Sequence, residues 1–141
     1  MKHLFRHLLV VAAFLGALWA ITAWPRINDV ETGRTPEYPD LVPRDYGASV
    51  DSVVTTLKTV MSRMPEWEFV GAGKGPAGAE VQAVHTLRFL RLKDDVTIRL
   101  KREKGRTVVS VRSKSRLTRW DFGQNARNIR ELLGALDHEA F

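Results

Sequence analysis

The chain opens on an unbroken apolar run. Leu8–Trp24 (LLVVAAFLGALWAITAW) carries no charge over seventeen residues, with Lys2 and Arg6 before it and Pro25 and Arg26 after it. As a helix the run spans roughly 25 Å at about 1.5 Å per residue, and Leu4 and Phe5 extend it towards the ~30 Å of a hydrocarbon core. It offers no polar face, which a helix on a soluble core would need. The pattern predicts a membrane anchor over 1–24, or alternatively a signal peptide cleaved after Ala23. The run exceeds the roughly 7–15-residue apolar core of a signal peptide, which favours the anchor. Trp19 and Trp24 suit an interfacial belt, and Lys2 and Arg6 favour an inside N-terminus, so residues 25–141 are expected outside the cytoplasm.

Residues 25–48 hold four of the six prolines, Pro25, Pro36, Pro39 and Pro43. Each fixes φ and removes a donor, so an extended strap is predicted, pinned by Tyr38, Leu41, Val42 and Tyr46. From Ser49 the periodicity becomes helical. Val50, Val53, Val54, Leu57, Val60, Met61 and Met64 follow i, i+3, i+4 spacing, with Ser49 as cap and Pro65 as stop. Glu66–Gly71 alternates as a strand. Gly71–Gly78 (GAGKGPAG) is read as a hairpin loop, since it lacks the GxxxxGK[ST] spacing of a phosphate cradle. Glu80–Leu90 alternates with Val81, Ala83, His85, Leu87 and Phe89 on one face, which puts His85 on or beside the core as a structural histidine. Lys93-Asp94-Asp95 is read as a turn. Val96, Ile98 and Leu100 then alternate, Glu103–Arg106 connects a hairpin, and Val109 and Val111 share a face of the last strand. Asp121 is the expected cap of a second helix, with Gln124 in a capping box and a stripe of Phe122, Ala126, Ile129, Leu132, Leu133 and Leu136. The fold class is therefore α+β. An N-terminal transmembrane or signal helix precedes a two-layer domain over 49–141, with a four-stranded antiparallel sheet and two packed helices.

Composition changes this picture little. There is no cysteine, so thiol chemistry and thiolate metal sites are excluded; no cofactor and no metal centre is expected. Charge changes it more. The net charge is +6, but residues 88–119 hold twelve basic against three acidic residues. Arg99, Lys101 and Arg112 are expected to form one basic face. Outside the cytoplasm its partner would be an anionic lipid, an anionic glycan or an acidic protein. Nucleic acid is disfavoured by location and by the lack of stacking aromatics in the basic stretch.

RFLRLKDDVTIRL (88–100) and VRSKSRLTRWDFGQNARNIRELLGAL (111–136) carry Phe89, Asp94, Asp95, Arg112, Ser113, Ser115, Arg116, Asp121, Gly123, Asn125, Arg127 and Ile129. On these residues the chain, over about 45–137, resembles the bacterial domain-of-unknown-function family 1499. Many members have an Asn-Cys-Val-Ser-type segment before the first helix, where this chain has PEYPDLVPRDYG. The resemblance implies a bacterial envelope context and no activity. With the anchor, the expected place is the cytoplasmic (inner) membrane with the domain on its extracytoplasmic side. With cleavage, it is the periplasm.

The Arg112–Arg116 segment (RSKSR) leads towards the second helix. If extended, it points Arg112, Lys114 and Arg116 one way and Ser113 and Ser115 the other. One reading is an anion site, with Arg112 and Arg116 as forks, Ser113 or Ser115 as donors and Asn125 nearby. The favoured reading is an internal lock in which Asp94, Asp95 or Asp121 pairs with Arg112 or Arg116. No GxSxG, HExxH or SxxK pattern is present, so catalysis has little support. The expected function is a binding or assembly module of the envelope. The alternative is an envelope hydrolase using the segment near residues 112–116.

Overall fold

The computed structural model describes residues 2–75 and 78–139, with the side chains of residues 2–4, 20 and 21 outside the description. Helix α1 covers Lys2–Ala23, then come β1 (Asp29–Glu31), β2 (Arg44–Tyr46) and α2 (Val50–Ser62). Strands β3 (Trp67–Gly75), β4 (Gly78–Leu87), β5 (Leu92–Glu103) and β6 (Arg106–Ser115) follow, and α3 (Gln124–Asp137) closes the order. The sheet is six-stranded and antiparallel, in the order β1-β6-β5-β4-β3, with β2 also on β6.

The expected count of four strands is corrected to six. Both additional strands come from the proline-rich strap. β1 pairs with Arg112–Lys114 and β2 with Thr107–Val109, so two three-residue strands lie end to end along β6. They cover a sheet edge that would otherwise expose unpaired backbone groups. Strands this short, among prolines, leave no alternation to read. Leu41 and Tyr46 are buried as predicted pins, whereas Val42 is exposed.

The four long strands occur where alternation predicts them, but two connections differ. The segment read as a loop from Gly71 continues as strand to Gly75, and Pro76 and Ala77 lie outside the described residues. Lys93-Asp94-Asp95 is not a turn. These residues belong to β5, and the connection is Arg88–Arg91, closed by the Leu87↔Leu92 pair with Arg91 at φ 52°. The reason is that Arg-Phe-Leu-Arg contains no glycine, proline or asparagine and so carries no turn chemistry. Phe89, expected on the core face, is 93% exposed at this tip. The hairpin at Lys104-Gly105 behaves as its sequence says, with φ of 47° and 81° in a two-residue turn.

One face of the sheet is apolar and carries both helices. Val81, Ala83, Val96, Ile98, Leu100, Val109 and Val111 meet Val53, Leu57 and Met61 of α2 and Ile129, Leu132 and Leu136 of α3. Ser49 caps α2 by accepting from the Ser52 amide at 3.2 Å. The start of α3 differs from expectation. Gly123 stands at the cap with φ 76°, and Asp121 accepts from the Gly123 and Asn125 amides from two residues upstream. Gln124 donates to Asn128 rather than closing a capping box, and Phe122 is exposed, stacked on Trp120.

Helix α1 forms over the expected segment. The membrane-spanning expectation is not supported: among the described residues no helix is long and apolar enough to cross a membrane. Leu8, Leu9, Val10 and Val11 are each more than half exposed. Four consecutive helical positions sample every side of the cylinder, so the rest of the chain covers none of them.

Candidate functional site

At one end of the sheet the apolar face turns polar. On β5, Asp94 keeps the inward phase of Val96, Ile98 and Leu100; on β6, Ser113 and Ser115 keep that of Val109 and Val111. The partners come from α3, whose stripe begins with Asn125 and Asn128, both fully buried, before it turns apolar. Ser113 donates its hydroxyl to Asn125 Oδ1 at 2.6 Å, and Ser115 donates to Asp94 Oδ1 at 2.8 Å. Asn128 Nδ2 donates to Asp94 Oδ2 at 2.8 Å and to Ser113 Oγ at 3.1 Å. Asn125 Nδ2 donates to Asp121 Oδ2, Ser115 Oγ and the Asn28 carbonyl at 2.6, 2.9 and 3.0 Å. This network ties β5, β6, α3 and the chain just before β1 into one buried unit. A buried polar group that keeps its partners costs little, and one that loses them costs its full desolvation.

His85 lies beside the network, 4% exposed, edge-on to Trp67 with ring centroids 5.2 Å apart. Its Nδ1 is 3.9 Å from Asp94 Oδ2 and has no hydrogen-bond partner among the described residues; its Nε2 is 3.8 Å from Glu131 Oε2. Burial lowers its pKa, against the opposing pull of Glu131, Asp94 and Glu66. Ser115 is thus held by a carboxylate rather than by the imidazole, and Ser113 is fully buried. Asp94, the acceptor for Ser115, is itself tied to Asn128, and the arrangement suits cohesion better than nucleophilic attack.

The arginines point outward, opposite the serines, as the alternation predicts. Arg116 meets Asp95 through Nε and Nη2 at 2.9 and 2.6 Å, one of the expected lock pairs. Arg112 takes a partner outside the expected set. It grips both oxygens of Asp29 on β1, at 2.8 and 2.5 Å, and holds that carboxyl below its ordinary pKa. The other residues of the expected basic face are also paired. Arg99 meets Glu31 at 2.9 Å and Glu80 at 3.4 Å, and Lys101 meets Glu103 at 2.8 Å. Arg99, Lys101 and Arg112 do share one face, and carboxylates stand among them throughout.

Above the polar network is a cavity of about 380 Å³. Leu87, Leu90, Leu92, Trp120 and Phe122 form its walls, Asp94, Ser115 and Asp121 line its floor, and Arg127 stands at its edge. Arg127 donates to the Phe122 carbonyl and to Gln124 Oε1. Of the candidates read from the sequence, the network and floor therefore gather Asp94, Ser113, Ser115, Asp121 and Asn125. Arg112, Arg116 and Asp95 stay on the opposite face. Asn128, Asn28, Glu131, Trp120 and Arg127 were not anticipated. The available signal was two asparagines, three residues apart, at the head of an apolar helix stripe.

A family profile described as "Protein of unknown function (DUF1499)" matches residues 21–136. The match includes the strap that supplies β1 and β2. No curated protein matches the chain. Among solved structures, the crystal structure of CalU16 from Micromonospora echinospora aligns at 17% identity over 68% of this chain and 73% of that one, with a TM-score of 0.33. That likeness is too loose to carry a ligand or a mechanism across.

Proposed function

The chain belongs to the family of unknown function DUF1499, and on its own geometry we propose that it is a binding and assembly module of the bacterial envelope, held at a membrane by α1, with its working surface at the sheet end that carries the cavity. The observation that carries this is the exposure of α1. Its apolar side chains from Phe5 to Trp19 meet water on every side in the isolated chain. An apolar surface of that extent marks lipid or partner contact. The basic leader favours a domain on the extracytoplasmic side. Binding is preferred to hydrolysis because both candidate serines are spent on internal hydrogen bonds.

The test is fractionation of the full chain. Membrane retention should survive alkaline carbonate and be lost in Val10→Glu/Phe14→Glu. An alkaline phosphatase fused after residue 40 should be active. A chain that stays soluble with α1 intact, or a fusion active only with a cytoplasmic reporter, overturns the proposal.

A further inference from the structure

The β4–β5 tip and the segment 116–122 leave the sheet at the same end, since Leu87↔Leu92 and Asp94↔Ser115 are the last pairs of their ladders. They share the walls of one cavity. Both carry apolar side chains far out of the fold: Phe89 is 93% exposed, Leu90 59% and Leu117 81%. A four-residue turn and a connecting loop are places for polar residues, so bulky apolar ones there stabilise nothing within the chain.

Cations without a carboxylate gather at this end. Arg26, Arg91, Lys93, Arg119 and Arg127 have none within salt-bridge distance among the described residues, although Arg88 and Arg116 beside them do; on the outer sheet face Arg99, Lys101 and Arg112 are all paired. The chain leaving α1 is pinned to the same end. The Trp24 indole covers Gly123 so closely that a Cβ there would collide with it, and the Arg26 guanidinium lies 5.3 Å from the Trp120 ring centre. Apolar tips, unpaired cations and the exit of the lipid-seeking helix thus coincide.

We infer that this end is a membrane-docking surface. Phe89, Leu90 and Leu117 enter the headgroup and upper acyl region, and Arg91, Lys93 and Arg119 take anionic headgroups. The partner is the surface of an anionic bilayer. Charge complementarity and continuity with α1 favour it over a protein, whose surface would have to match protruding rings and unpaired arginines together. The inference rests on the tether proposed above, and it adds that the domain lies against the bilayer instead of hanging free. Each arginine brought to an anionic surface strengthens attachment about fivefold at moderate salt, and the effect fades within a Debye length of about 8 Å.

The absence of cysteine makes the test direct. Phe14→Cys, Phe89→Cys and Glu103→Cys, each in the full chain, carry one environment-sensitive fluorophore at α1, at the tip and at the opposite sheet end. The chains are reconstituted in phosphatidylcholine vesicles with or without phosphatidylglycerol. The expected result is a buried probe at 14, a probe at 89 that is quenched by spin-labelled lipid only when phosphatidylglycerol is present, and an aqueous probe at 103. Arg91→Glu/Arg119→Glu should lower immersion at 89 by at least about 25-fold. A buried probe at 14 with an aqueous probe at 89 on both vesicles overturns the docking and leaves the tether. An aqueous probe at 14 with a lipid-quenched probe at 89 overturns the tether and keeps the docking. A probe at 89 that is aqueous on vesicles but shielded in native membranes overturns lipid as the partner in favour of a protein.

Discussion

The two ends of the sheet are built on different terms. The end that holds Lys104-Gly105 is locally determined. Its turn has the glycine and positive φ that a two-residue hairpin requires, Lys101 and Arg106 meet carboxylates, and its core positions are Leu100 and Val109. The end that holds Asp94 and Ser115 is determined by long-range contacts. A buried polar network replaces the apolar core, a turn forms without turn residues, and apolar side chains stand outside. The first end satisfies every local rule, and the second breaks several together. Breaches concentrated in one place are the mark of a surface shaped for something other than stability.

The largest effect should come from the network. Asn125→Ala removes the acceptor for Ser113 and the donor to Asp121, Ser115 and Asn28, all in a buried setting. At about 1–3 kcal/mol for each group left unsatisfied, a loss of about 3 kcal/mol is expected in denaturant unfolding. Leu100→Ala at the opposite end should cost a similar amount, about 2–5 kcal/mol, from lost apolar burial and the cavity left behind. If Asn125→Ala unfolds like wild type, the polar end contributes nothing to cohesion and the contrast between the ends fails.

Next is Gly123→Ala. The position has φ 76°, and a Cβ would strike the Trp24 indole. A loss of about 1–2 kcal/mol is expected from the backbone and the displaced ring. The change should also free Trp24, seen as a red shift of its emission. Gly105→Ala, at φ 81° but in open space, should show the backbone part without the spectral change.

These positions also show what could be read in advance. The four long strands and both packed helices followed from periodicity, because each buries one face and the pattern records that face. The short hairpin connection at Glu103–Arg106 followed from its glycine. β1 and β2 did not, because three-residue strands are held by β6 and not by their own sequence. The tip at Phe89 has the apolar pattern of a strand and none of the residues that signal a turn. The inward and outward sorting of Arg112–Arg116 was legible from alternation alone. Arg112's partner was not, since Asp29 lies far away in a strap with no pattern.

A conditional effect follows from His85. Its pKa is lowered in the fold by burial, so the sign can be worked out. Well above about 6.5 the imidazole is neutral in both states and contributes no pH dependence. Between that value and the lower folded pKa the unfolded chain binds a proton that the folded chain does not. Stability therefore falls as pH falls through this window, and levels off below the folded value. Equilibrium unfolding at pH 7.5 and at stepwise lower pH should show the decline, and His85→Phe should flatten it. A rise in stability on acidification would mean that Asp94 and Glu131 outweigh burial, with an imidazolium inside the polar end.

The smallest effect is expected on the ion-paired face. Arg112→Ala removes a two-pronged pair that is about one-third exposed. Such pairs contribute roughly 0–1 kcal/mol, with the loss felt as looser pairing of β1 on β6. Arg99→Glu/Lys101→Glu replaces cations that Glu31, Glu80 and Glu103 already offset. A net charge change on a compensated surface, one Debye length or more from the docked end, should alter retention on phosphatidylglycerol vesicles less than about twofold, under half of the effect of a single docking arginine in free energy. Charge counted along the sequence would rank this face as the stronger anion binder, since it lies in the most basic stretch. Charge counted after pairing ranks it last. If the outer-face reversal weakens vesicle binding more than Arg91→Glu/Arg119→Glu does, the free cations at the polar end are not the ones that meet the lipid.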